Sequence, residues 1–208
     1  LDEAQLFPPD FLAPILEALS ELQKNYGVTI VFSTATQPAL GPHKSMDFDF
    51  KGISGVSEII ADPAALFNQL KRTELSIMGT LREPQSWNDV ASGLKEHDSV
   101  LCIVSRRDDA RTLWEMMPEG TFHLSALMCG AHRSQRIAEI KERLKSKLPT
   151  RVISTQLVEA GVDVDFPVVY RSLAGLDSIA QAAGRCNREG LRDQGDVVVF
   201  TPPSNIPV

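Results

Sequence analysis

The residues able to do chemistry fall in a few short stretches. At the start, Asp2 and Glu3 stand side by side after Leu1. An Asp just after a buried strand can hold a magnesium ion, and an adjacent Glu can orient or deprotonate an attacking water. Most adjacent acidic pairs are surface carboxylates, so this pair decides nothing alone. Next, Ser33, Thr34 and Thr36 follow an apolar run from Val28 to Phe32. If that run is a buried strand, the hydroxyls sit at the carboxyl edge of a sheet, where open α/β sheets bind ligands. There they can bond an acidic residue on a neighbouring strand end and couple nucleotide state to domain position, or merely cap a turn.

Two later stretches carry more. Ile153 to Asp165 reads as a strand followed by a polar segment with a glycine at a turn. Gly161 lets backbone approach a ligand closely, Asp163 can accept from ribose hydroxyls, and Thr155 can donate to a nucleic-acid phosphate. An ordinary strand-loop-strand connection fits the same residues. In Gln181-Ala182-Ala183-Gly184-Arg185-Cys186-Asn187-Arg188, helical spacing puts Gln181, Arg185 and Arg188 on one face. Two guanidinium groups and an amide pointing together suit the charge that develops on a transferring γ-phosphoryl group. A surface salt-bridge helix is the competing interpretation.

The elements that must position these residues alternate helix with short apolar strand, the pattern of a parallel sheet covered on both faces and hence an α/β fold. Asp10 can cap a helix whose Leu12, Ile15, Leu16, Leu19 and Leu22 share a face, with Gly27 available to end it. A strand is expected over 28–32, then over 34–62, rich in Gly, Pro and Asp, a long loop with room for one short element, then a helix start at Asp62-Pro63. Further strands are expected near 74–78, 99–104, 121–124, 150–154, 167–171 and 196–200. Helices are expected near 86–96, 107–117, 132–146 and from about 177. A domain boundary is placed near residue 72, giving domains 1–71 and 72–208.

Composition narrows the class. With 43% hydrophobic and 23% charged residues, the chain can bury a real core. Its net charge of -6 argues against holding nucleic acid by overall positive charge, so any such contact must be local. The densest basic stretch, from Arg133 to Arg151, is diluted by Glu139 and Glu142 and reads first as a solvated helix face. Cys102, Cys129 and Cys186 have no C-x-x-C spacing, which suggests buried or incidental thiols. No apolar run is long enough to span a bilayer and no secretory signal opens the chain, so no membrane partner and a cytoplasmic location are expected. His97-Asp98 invites a metal-site interpretation, but His43, His123 and His132 provide no supporting pattern, so it reads as an exposed turn.

In this order the acidic pair, the hydroxyl cluster, the Gln156 to Asp165 segment and the Gln181 to Arg188 segment resemble motifs II, III, V and VI of superfamily two helicases. Leu101 to Ser105 resembles motif IV. More narrowly, Leu1 to Pro9, Ser33 to Leu40 and the last two segments resemble the signature nuclease-helicase of type I CRISPR interference. The resemblance implies RecA-like parallel sheets flanked by helices, one domain partial and one complete, with ATP in the cleft between them and single-stranded DNA across both. It implies that Asp2 binds magnesium, Glu3 activates water, and Ser33, Thr34 and Thr36 couple hydrolysis to movement. Gln181, Arg185 and Arg188 would engage the γ-phosphate, Gly161 and Asp163 the nucleotide, and Ser105 and Thr155 the DNA backbone. The implied partner is an RNA-guided surveillance complex, and the implied activity is ATP-driven translocation along a recruited strand.

The sequence departs from that pattern in one large respect: no G-x-x-x-x-G-K-[ST] phosphate loop exists in these residues, and Gly41-Pro42-His43-Lys44-Ser45 lacks its second glycine and spacing. The chain therefore reads as a fragment that begins just before motif II, with negligible hydrolysis by itself and any nuclease elsewhere. Another superfamily two DNA or RNA helicase, or a non-catalytic docking module, is the alternative.

Overall fold

Strand β4, Ser99–Ile103, shows why the sheet forms where it does. Its apolar residues alternate between two cores: Leu101 and Ile103 enter one, Val100 and Cys102 the other, and all four are fully buried. A strand apolar on both faces must be covered on both faces, which is the habit of parallel sheets with helical crossovers. The computed structural model of the chain describes residues 1–4, 7–34, 40–44, 49–158 and 161–204. It divides into two units, Leu1–Gln69 and Leu70–Val208.

In the second unit six parallel strands lie in the order β3-β8-β7-β4-β6-β5. The other five are β3 Thr73–Ile77, β5 Phe122–Leu124, β6 Thr150–Ser154, β7 Val168–Ser172 and β8 Gly195–Phe200. Helices α3, Trp87–Lys95, and α4, Arg107–Glu115, cover one face through Val90, Ala91, Leu94, Ala110 and Leu113. Helices α5, Gly130–Lys145, and α6, Leu176–Ala183, cover the other through Ile140 and Ala182. Local signals agree with these bounds. Ser86 caps α3 by accepting from the Asp89 amide, satisfying one of the orphan donors of a first turn. The basic stretch lies largely on α5, where Arg136 and Arg143 flank the Phe122 ring at 6.0 and 5.9 Å and Arg136 pairs with Glu139 at 2.8 Å. This face packs as well as solvates.

The first unit contains α1, Pro9–Tyr26, ended by Gly27 in the left-handed conformation. It also holds a short antiparallel pair, β1, His43–Lys44, and β2, Asp49–Phe50, inside the stretch expected to be a long loop with room for one short element. Helix α2, Pro63–Leu70, begins at the predicted Asp62-Pro63 signal. Two expectations fail here: Pro8 rather than Asp10 stands at the N-cap of α1, with no side-chain cap bond and Asp10 inside the first turn, and the strand after the helix is missing. No strand forms over 28–32, and Val28 and Val31 are 41% and 50% exposed rather than buried. A ladder needs successive partners, and among the described residues the backbone bonds between this segment with Ser33 and the first residues are Leu1 N to the Val31 carbonyl, Ser33 N to the Leu1 carbonyl, and Ala4 N to the Ser33 carbonyl. On α1, Leu16 is buried while Leu22 is 43% exposed, so the predicted apolar face is only partly covered.

Candidate nucleotide and nucleic-acid site

Strands β4, β6 and β7 are adjacent and parallel, so their carboxyl ends gather on one edge. Ser105 follows β4 and Thr155 follows β6, and the two strands are bonded to their last residues, with Val104 N donating to the Ser154 carbonyl at 2.9 Å. Thr155 is 7% exposed; its amide donates to the Leu124 carbonyl and its carbonyl accepts from Ser154 Oγ. Ser105 is half-buried and contacts Arg171 and Ser172 at the end of β7.

After Thr155 the chain forms a single 3-10 turn, Gln156–Val158, and resumes at Gly161 with φ +70°. That positive φ suits glycine, and among the described residues nothing lies within 4 Å of where a Cβ would stand. Arg185 Nε donates to the Val158 carbonyl at 2.9 Å, and Arg188 Nε to Asp163 Oδ1 at 2.6 Å. Predicted motifs V and VI therefore meet, around Val158, Asp163, Arg185 and Arg188. They do not meet as a helix face. Helix α6 stops at Ala183, Gly184 is its cap, and only Gln181 of the three predicted residues is helical. The chain leaves the helix at an isolated parallel bridge between Cys186 and Phe166: Phe166 N donates to the Arg185 carbonyl, and Asn187 N to the Phe166 carbonyl, each at 2.9 Å. Arg188 thus reaches Asp163 from a turn, and its amide also donates to Asp165 Oδ1 at 2.7 Å.

Several residues at this site escaped the sequence. Asn187 is fully buried at φ +45°; its side chain donates to the Arg72 and Arg192 carbonyls and accepts from the Arg192 amide. Arg171 is fully buried. A charge closing the run Val168-Val169-Tyr170 was the available signal. Cys186 donates from Sγ to the Pro167 and Asp196 carbonyls, and burial pushes its thiol up to about 12. The Cys102 thiol is likewise raised by burial, only partly offset by Arg171. All three cysteines are free.

In the first unit Asp2 and Glu3 are exposed, the Glu3 amide donates to Asp2 Oδ1 at 3.0 Å, and Ser33 lies alongside through its backbone. The predicted motif II and motif III residues are thus adjacent. Thr34 is described and half-buried; Thr36 lies outside the described residues. Among the described residues no group of three or more His, Cys, Asp or Glu could hold a metal. A magnesium at Asp2 would fit only in the manner usual for that ion, with one carboxylate completed by waters and phosphates. His97-Asp98 forms no such group; His97 packs beside the Tyr170 ring at 5.9 Å and Asp98 faces Arg151 at 3.8 Å.

The fold is that of a RecA-like α/β domain, with Ser105 and Thr155 at the carboxyl edge of the sheet. The comparisons narrow the class. Residues 96–191 match the family model for the C-terminal part of the CRISPR-associated nuclease/helicase Cas3. A nuclease/helicase Cas3 of Haloferax volcanii is 42% identical over 125 residues, covering 55% of this chain and 13% of that protein. That of Methanothermobacter thermautotrophicus is 29% identical across 97% of this chain and 25% of its own length. The chain therefore spans a quarter or less of these relatives. Among solved structures, T. fusca Cas3 with ADP gives a TM-score of 0.53 at 20% identity over 65% of this chain and 19% of that one. The helicase MrfA bound to DNA and AMPPNP gives 0.58 at 15% identity over 98% and 30%. The resemblance carried by the motifs thus stands: this chain is like the helicase C-terminal part of a Cas3-type nuclease/helicase. Among the described residues no helix is long and apolar enough to cross a membrane.

Proposed function

We propose that these residues form part of an ATP-driven motor that moves along single-stranded DNA in CRISPR interference, recruited by an RNA-guided surveillance complex. The observation that supports this best is the meeting of Arg185 and Arg188 with the Val158 to Asp163 segment. It gathers two guanidinium groups, a backbone turn open to a ligand at Gly161, and a carboxylate able to accept from a ribose. In this reading Gln181, Arg185 and Arg188 stabilise charge on the transferring γ-phosphoryl group. Gly161 and Asp163 hold the nucleotide, with Arg188 exchanging Asp163 for phosphate when ATP binds. Asp2 holds magnesium, which when bound offsets phosphate charge, and Glu3 orients the attacking water. Ser33, Thr34 and Thr36 relay nucleotide state, while Ser105 and Thr155 donate to the DNA backbone. Cas3 of T. fusca is known with ADP, AMPPNP and ATP, and a CRISPR surveillance complex in its pre-nicking state matches this fold; these neighbours motivate the cofactor and the partner.

The test is DNA-stimulated ATP hydrolysis. With no phosphate loop among its residues, the 208-residue chain alone is expected to turn over negligibly, because the β- and γ-phosphates lack their main cradle. Joined to a segment carrying that loop, it should hydrolyse ATP, with Arg185→Ala losing about 10³-fold or more and Glu3→Gln about 10²-fold or more. Unchanged turnover in both variants would overturn the motor assignment and favour a docking module.

A further inference from the structure

Arg171 has no solvent exposure, although it ends a strand of otherwise ordinary sheet residues. Burying a guanidinium is costly unless its donors are used, so its contacts indicate what it is for. Nη1 lies 2.8 Å from Ser172 Oγ, 2.9 Å from the Ser172 carbonyl, 3.3 Å from Ser105 Oγ and 3.5 Å from the Ile103 carbonyl. A guanidinium only donates. Nη1 carries two hydrogens, which these four acceptors share; Ser105 and Ser172 can only accept from it, so each hydroxyl proton goes elsewhere. The two oxygens are 3.5 Å apart, the outer limit of a bond between them. Ser172 is 1% exposed, whereas Ser105 is half-buried and keeps some solvent exposure.

We infer that Arg171 is a positioning residue that turns Ser105 into an outward-facing donor for a nucleic-acid backbone phosphate. It occupies an acceptor site of the Ser105 hydroxyl, with Ser172 holding the guanidinium in register, so that the Ser105 proton points to a ligand oxygen. A fixed positive charge directly behind the hydroxyl also favours an anion in front of it, in surroundings less polar than water. This rests on the assignment of Ser105 to the DNA backbone, and the experiment separates the two.

Fluorescence anisotropy of a labelled oligothymidylate would be followed with the 208-residue chain, its Ser105→Ala, Arg171→Lys and Arg171→Met variants, and the Ser105→Ala/Arg171→Met pair. Thermal unfolding of each reports folding. Ser105→Ala should weaken binding about threefold to tenfold, the range of one hydrogen bond, and Arg171→Met at least as much. The double variant should bind no worse than Arg171→Met, because the two act through one contact. Arg171→Lys should recover part of the loss. Multiplying effects of Ser105→Ala and Arg171→Met, or no recovery by lysine at unchanged melting temperature, would overturn the positioning role alone. An inert Ser105→Ala, or a chain that does not bind the oligonucleotide, would overturn the phosphate-contact assignment itself. If Arg171→Met does not fold, the same cycle is run with Arg171→Lys.

Discussion

Arg185 and Arg188 are held in different ways, and the difference predicts different mutants. Arg185 is 9% exposed and bonds the Val158 carbonyl, so Arg185→Ala strands a buried acceptor and should cost about 1–3 kcal/mol of stability in addition to activity. Arg188 and Asp163 form an exposed pair, with side chains 45% and 69% accessible, and such pairs contribute at most about 1 kcal/mol. Arg188→Ala should leave the melting temperature nearly unchanged while removing DNA-stimulated turnover of the chain joined to a segment carrying the phosphate loop; a large fall in melting temperature would count against a functional role for Arg188. The thiols give a pH dependence. Cys186 is raised from an ordinary value of 9.0 to about 12 in the folded chain. Below pH 9 the thiol is neutral folded and unfolded, and its contribution is complete. From there to about pH 12 the unfolded chain loses the proton while the folded one keeps it, so stability falls as pH rises. Cys102 acts in the same direction. Urea midpoints should decline above pH 9, and less steeply in Cys186→Ala. Iodoacetamide at pH 8 should label Cys129, the exposed thiol, and spare the two buried ones.

The elements that carry the site are joined by a tight seam between β7, β8 and the turn after α6. A Cβ on Gly195 would stand 2.6 Å from Cys186 Sγ and 2.9 Å from Asn187 Cβ. Gly195→Ala should therefore force the turn away from β8 and cost about 1–3 kcal/mol. Asn187→Ala removes three hydrogen bonds and leaves alanine at φ +45°, so the fall in chemical stability should be larger still. Equal stability of natural and Asn187→Ala chains would show that the turn is not what holds Arg188. The strands and helices of the second unit were legible because Leu101 and Ile103 alternate with Val100 and Cys102, and because Ser86 marks a helix start. The turn was not. Helical spacing extends naturally from Gln181 through Arg188, and what ends it is Phe166, twenty residues upstream in sequence terms, whose pairing no local pattern announces. The same limit explains the strand expected over 28–32: an apolar run reports readiness to pair, not the presence of partners. Arg171 was overlooked because an arginine at a strand end reads as exposed.

For the whole molecule the two units differ in what they bury. The second has paired cores on both faces of its sheet, whereas in the first Phe11, Ile59 and Phe67 are 62%, 80% and 69% exposed. Hydrogen exchange should be slowest in β4, β6 and β7, and limited proteolysis should cut first before residue 70 and leave a resistant core from the second unit. Early cleavage inside β4 or β7 would contradict that order. The sheet's strand order carries one more consequence. Among the described residues β3 pairs with β8 alone, from Thr73↔Gly195 to Ile77↔Val199, so the first strand of the unit is completed by the last. At ribosomal rates of about 5–20 residues per second, the intervening chain takes roughly 6–24 s to emerge. Through that interval β3 is a bare edge in need of a partner, and a nascent chain stalled before Gly195 is a substrate for chaperones rather than a folded domain.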